Sequence, residues 1–161
     1  MSHPTAVTTP SATKIRIERD FDAPRDLVWA AYTEPELLAN WLGPRRLTMT
    51  VQEMDVRAGG YYRYTHLSSD DSDSAPFVFF GEFLEVQPPH LLVQTFQWEG
   101  NPDPPSVDRV EFEDLGDDRT RIVTTATFES TEARDAMLGA GMERGISEGY
   151  EKLDELLAGL L

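Results

Sequence analysis

The stretch LTMTVQEMDVRAGGYYRYTH, residues 47–66, decides the fold. Leu47 to Val56 and Tyr61 to His66 both carry a period of two, which suits half-buried strands. Between them Ala58-Gly59-Gly60 supplies the positive-φ positions that a tight antiparallel turn needs. The centre of the chain therefore begins with a β-hairpin.

Moving toward the C-terminus, Phe77 to Val86 and Leu91 to Trp98 form a second strand pair across Pro88-Pro89. Val107 to Glu113 and Thr120 to Phe128 form a third across Gly116-Asp117-Asp118. Ser68 to Ser74 and Gly100 to Pro105 are loops; Asp70, Asp71 and Asp73 in the first lack the glycine and distal glutamate of a calcium-binding loop and are expected in solvent. Moving toward the N-terminus, Gly43-Pro44 ends a short helix carrying Leu37, Leu38, Trp41 and Leu42. The corner Thr33-Glu34-Pro35-Glu36 reads as a capping box that separates it from a preceding helix with Leu27, Val28, Ala31 and Tyr32 on one face. Before that helix, Ile15, Ile17 and Phe21 mark a first strand ended by Asp22-Ala23-Pro24. From Ser130, an available N-cap, the chain reads as one long helix with Met137, Met142, Ile146, Leu153, Leu156, Leu157 and Leu160 on its apolar face.

The order β-αα-β(6)-α predicts an α+β domain over residues 14–161, with a seven-stranded curved antiparallel sheet whose apolar face is covered by the terminal helix. Residues 1–13, rich in Ser, Thr, Pro and Ala and without an apolar period, are expected to form a disordered tail.

The 161 residues are 40% hydrophobic, enough for one well-buried core, and carry a formal charge of −15. That charge argues against nucleic-acid phosphates and anionic membranes as partners. With no cysteine, thiol nucleophiles, disulfides and zinc-thiolate sites are excluded. No apolar run is long enough to cross a bilayer and no secretory leader is visible, so a cytoplasmic location is expected. Walker, GxGxxG, GxSxG and HExxH patterns are absent, and neither a cofactor nor a metal is expected.

Strand parity places Tyr62, Tyr64 and His66 on one face with Phe96 and Trp98, Val110 and Phe112, and Ile122, Thr124, Ala126 and Phe128. For Phe77 to Val86 both faces are largely apolar; the set Phe80, Glu82 and Leu84 is taken as inward against Phe79, Gly81 and Phe83. The result is an aromatic concave wall, which is either packed core or the lining of a ligand cavity. Gly141, Gly145 and Gly149 recur every four residues along the terminal helix, each at about 1 kcal/mol relative to alanine. They either bring the helix close to the sheet or leave volume for a guest. His66 and an inward Glu82 are the only candidates for acid/base work on that wall.

Several runs together resemble the family related to the C-terminal domain of the activator of Hsp90 ATPase. They are Phe21-Asp22-Ala23-Pro24 with Val28-Trp29, the Thr33 to Glu36 corner with Trp41-Leu42-Gly43-Pro44, and Asp55 to Tyr62. Gly81 to Val86 with Pro88-Pro89-His90-Leu91, Arg119-Thr120, and Met142-Glu143-Arg144-Gly145-Ile146 complete the set. The resemblance spans roughly Lys14 to Leu157, and departs at Ile146, where many relatives carry tryptophan. It implies the START-like, Bet v 1-like (SRPBCC) helix-grip fold with a hydrophobic cavity.

The expected function is the binding of a small apolar or aromatic molecule between sheet and helix. The lining residues are Trp41, Tyr62, Tyr64, His66, Phe80, Glu82, Phe96, Trp98, Phe112, Met137, Gly141, Met142 and Gly145. One alternative is a polyketide cyclase or dehydratase using His66 or Glu82. Another is a co-chaperone-like interaction domain with a chaperone partner, and a homodimer is compatible with every reading.

Overall fold

A computed structural model describes residues 3–68, 76–100 and 104–161. The acidic loop reading at Asp70, Asp71 and Asp73 lies outside the described residues, as does part of the Gly100 to Pro105 loop. The elements run β1 (Ala6–Ser11), β2 (Lys14–Phe21), α1 (Arg25–Thr33), α2 (Pro35–Leu38), β3 (Leu47–Met54), β4 (Tyr61–Ser68), β5 (Phe77–Gln87), β6 (Leu91–Trp98), β7 (Ser106–Gly116), β8 (Arg119–Thr127), α3 (Thr131–Gly139) and α4 (Met142–Leu160).

All pairings are antiparallel, and the sheet order is β1-β2-β8-β7-β6-β5-β4-β3. Since β2 lies near one edge and β3 at the other, α1 and α2 must span the concave side, and the sheet curves around what they cover. The fold is the expected helix-grip arrangement with one strand more. That eighth strand, β1, lies in the stretch expected as a tail; Ala6, Val7 and Thr8 pair with Glu18, Ile17 and Arg16. Half-buried Val7 packs on the core, an anchor too slight for an apolar period to reveal.

The first hairpin forms as its glycines require. Gly59 has φ +85°, and a Cβ on Gly60 would fall 1.9 Å from the Asp55 carbonyl oxygen. The single long helix expected after Ser130 is instead two. Ser130 does cap α3, accepting a bond from the Ala133 amide at 3.1 Å. At Gly141 the backbone turns left-handed (φ +79°), a conformation helices adopt only on ending.

The core under α4 is closed by aromatic and aliphatic packing. Phe21, Val28, Ile122 and Leu153 are fully buried, with Trp41 and Leu157 nearly so. Trp41 donates its indole N–H to the Ala31 carbonyl at 2.9 Å and stacks toward Tyr150, tying the α1–α2 corner to α4. Arg19, buried on β2, holds α4 through a bidentate pair with Asp154 at 2.6 and 3.0 Å, its guanidinium 4.8 Å over the Phe21 ring.

Candidate functional site

Register fixes the lining of the concave face. Tyr62 lies opposite Gly81 and Tyr64 opposite Phe79, so Phe79, Gly81 and Phe83 point inward. Phe80, Glu82 and Leu84 lie on the convex side, the reverse of the expected parity. The reason sits at Gly81, where a Cβ would come within 2.0 Å of the Thr95 carbonyl oxygen and 2.7 Å of the Tyr62 hydroxyl. Only glycine lets Tyr62 fold across β5 to donate to that carbonyl at 2.5 Å.

Burial along the concave face is uneven. Toward β2 and the C-terminal half of α4, Ile15, Ile17, Phe21, Phe112, Ile122, Leu153 and Leu157 are sealed. Across β5 to β8, Phe79, Gln94, Phe96, Asp108 and Thr124 stay only half-buried although they face inward. The terminal helices are loosely seated at their N-terminal end: α3 contributes no buried residue, and Met137, Met142 and Ile146 pack against the core half-buried. The concave face is thus sealed toward β2 and only half-buried across β5 to β8.

Of the three glycines, only Gly149 is required by close approach. A Cβ there would meet the Trp41 carbonyl oxygen at 3.1 Å, so it serves packing and leaves no volume. Gly145 faces Pro44 at an ordinary 3.8 Å, and Gly141 borders open space at the helix break.

Two polar groups stand out on the concave face. His66 is 4% exposed, set edge-on to Tyr64 and Phe79 at ring distances of 5.3 and 5.5 Å. Its Nδ1 has no partner among the described residues. Burial, and secondarily the Lys152 charge, pulls its pKa down to about 4, so the ring is neutral at pH 7. Glu82 lies on the opposite face of the sheet, so the two cannot share a proton with one bound atom; the acid/base pair of the enzymatic alternative is not assembled.

The second group is Asp108, which lies between Gln94 and Ala126 in register and shares its face with buried Val110 and Phe112. Burial raises its pKa to about 7, and its charge acts on the phenols of Tyr62, Tyr64 and Tyr150. Sequence reading did not single it out. The signal was present, because extending the inward parity of Val110 and Phe112 by two residues reaches it.

The remaining expected residues divide. Trp41, Tyr62, Tyr64 and Phe112 are buried in one cluster, with Phe96, Met137 and Met142 packed against it. Trp98 is 42% exposed, its ring 6.3 Å from that of Phe77. Phe80 pairs with the outer ring of Tyr61 at 6.4 Å and Glu82 faces solvent, so neither is on the concave face. Among the described residues no cluster of His, Asp or Glu is arranged to hold a metal ion.

Residues 22–158 match the family described as activator of Hsp90 ATPase homolog 1-like protein. The chain belongs to that family. Among solved structures, a protein from Rhodobacter sphaeroides superposes with a TM-score of 0.87 at 26% identity, covering 97% of this chain and 99% of the other. A protein from Arthrobacter aurescens gives 0.85 at 27%, with 96% and 91% covered. One from Mycobacterium smegmatis gives 0.84 at 25%, with 96% and 97% covered. No curated protein matches. The chain shares the fold of these structures over nearly its whole length, and no helix among its described residues is long and apolar enough to cross a membrane.

Proposed function

We propose that the protein binds a small, mostly apolar molecule in a recess between the curved sheet and the α3–α4 junction, without chemistry of its own. The carrying observation is the uneven burial: inward-facing Phe79 and Phe96 keep accessible surface while equivalent positions toward β2 keep none. Their rings stack at 5.1 Å and form an apolar floor; Met137 and Met142, half-buried on the terminal helices, supply adaptable apolar surface for the same guest, and exposed Trp98 borders it. Removing such surface from water is worth about 25 cal/mol per Å², and a methionine roof adapts to the shape of its guest.

The reading is tested with the uncharged apolar fluorophore N-phenyl-1-naphthylamine. A saturable one-to-one fluorescence increase is expected. Met142→Trp, which fills the recess, should weaken it about tenfold or more while cooperative unfolding is retained. Absence of saturable binding, or affinity unmoved by Met142→Trp, overturns the reading.

A further inference from the structure

The convex face of the sheet divides into two unlike halves. On one half, Lys14, Arg16, Glu18 and Asp20 of β2 lie outward beside Thr127, Thr125, Val123 and Arg121 of β8, and their single apolar member, Val123, is buried. On the other half the outward positions are apolar. Tyr61 and Leu67 of β4 and Phe80 and Leu84 of β5 lie there, with Val93 of β6 and Val107 of β7 extending the patch. Tyr61, Leu67, Leu84 and Val107 are four of the seven large apolar side chains exposed among the described residues. Scattered singly they would need no explanation, but gathered on half of one sheet face they mark a contact surface.

The charge on this face points to what covers it. Each arginine at an outward register position is matched by a carboxylate: Arg16 by Glu18, Arg63 by Glu99, Arg109 by Glu111 and Arg121 by Asp20, at 2.6 to 3.1 Å. Beyond these pairs the outward strand positions carry Glu53, Glu82, Glu85 and Glu113 against Lys14, so the face holds −3 of the molecule's −15. The rest of the chain carries the other −12. A strongly basic partner would settle on that remainder, and a strongly acidic one would be repelled by all of it. Two copies of this chain approach at least cost where their own charge is low and paired. Across a twofold axis the patch meets itself, so arginines of one copy can stand opposite carboxylates of the other. We propose that the outward faces of β4 to β7 associate as a homodimer, with Phe80 and Leu84 at its centre and the Arg–Glu pairs at its rim. Four strands of about eight residues project roughly 500 Å², less than the about 800 Å² per partner of a standard interface, so the dimer is a weak one. It uses the side of the sheet opposite the proposed recess and is independent of ligand binding there.

Sedimentation velocity of the intact protein, from about 5 to about 500 μM, tests the proposal. A monomer–dimer equilibrium with a Kd of about 50 μM is expected. Raising salt from about 20 to about 300 mM should tighten it, because screening relieves the repulsion between two molecules of −15 charge. Leu84→Glu and Val107→Glu each set like charges against one another across the axis and should weaken association at least about tenfold. Leu160→Glu on α4 is the control: Leu160 and Leu84 are exposed alike, at 44% and 45%, so both variants run the same risk to folding, which cooperative urea unfolding checks. As a second measurement, the methyl signals of Val93 and Val107 should shift on dilution while those of Ile15 and Ile17, on the concave side, hold still. A dimer indifferent to both face variants, or one abolished by Leu160→Glu, overturns the proposal. So does a monomer at every concentration, which would leave the patch to a different protein.

Discussion

At the residue scale, the packing around His66 leaves little tolerance. Gly43 adopts φ +95°, and a Cβ there would fall 2.5 Å from the His66 Cε1. Gly43→Ala therefore combines a left-handed backbone penalty with a clash against a buried ring. Gly116, at φ +82°, has nothing within 4 Å and carries the backbone penalty alone. Urea denaturation should show Gly116→Ala losing about 1 kcal/mol and Gly43→Ala at least about 2 kcal/mol. Equal losses would show that the ring moves aside freely. His66 itself was legible from its strand parity, because Tyr62, Tyr64 and His66 alternate cleanly. Asp108 escaped notice because a single acidic residue in an alternating strand reads as solvent-facing unless the flanking apolar residues fix the face.

At the element scale, α4 is held by one buried charge pair as well as by its apolar stripe. Removing Asp154 leaves the Arg19 guanidinium desolvated and unpaired, so Asp154→Leu should lower stability by about 3 kcal/mol. The double variant Arg19→Met with Asp154→Leu should recover much of that loss. A double variant no more stable than Asp154→Leu would show that packing around α4, not the orphaned charge, sets the cost. The sequence placed the six later strands, both short helices and the Ser130 cap, because alternation, Gly-Pro stops and capping residues are local signals. It missed β1, which has only Val7 to pack, and the break at Gly141, where the apolar spacing runs on from Met137 to Met142 as though the helix did too. It also inverted β5, since a strand apolar on both sides carries no parity, and only the fit of Tyr62 over Gly81 decides it.

At the scale of the whole molecule, the two interior titratable groups pull stability in opposite directions. Unfolded, His66 titrates near 6.5 and folded near about 4, so the unfolded chain binds more protons between these values and stability rises with pH there. Asp108 titrates at 3.8 unfolded and about 7 folded, so the folded state holds the extra proton and stability falls as pH rises across that window. Where the windows overlap the slopes cancel. Urea denaturation from pH 4.5 to 6 should show His66→Gln losing about 1.4 kcal/mol per pH unit relative to wild type as pH rises, and Asp108→Asn gaining as much. Profiles parallel to the wild type would contradict the burial assigned to both groups. The proposed binding requires an interior sealed at one end and open at the other. Methyl NMR during titration with N-phenyl-1-naphthylamine separates the ends directly. Met137, Met142 and Ile146 should shift saturably together while Ile15, Ile122, Leu153 and Leu157 stay in place. Shifts confined to the second group, or spread evenly over both, would contradict it.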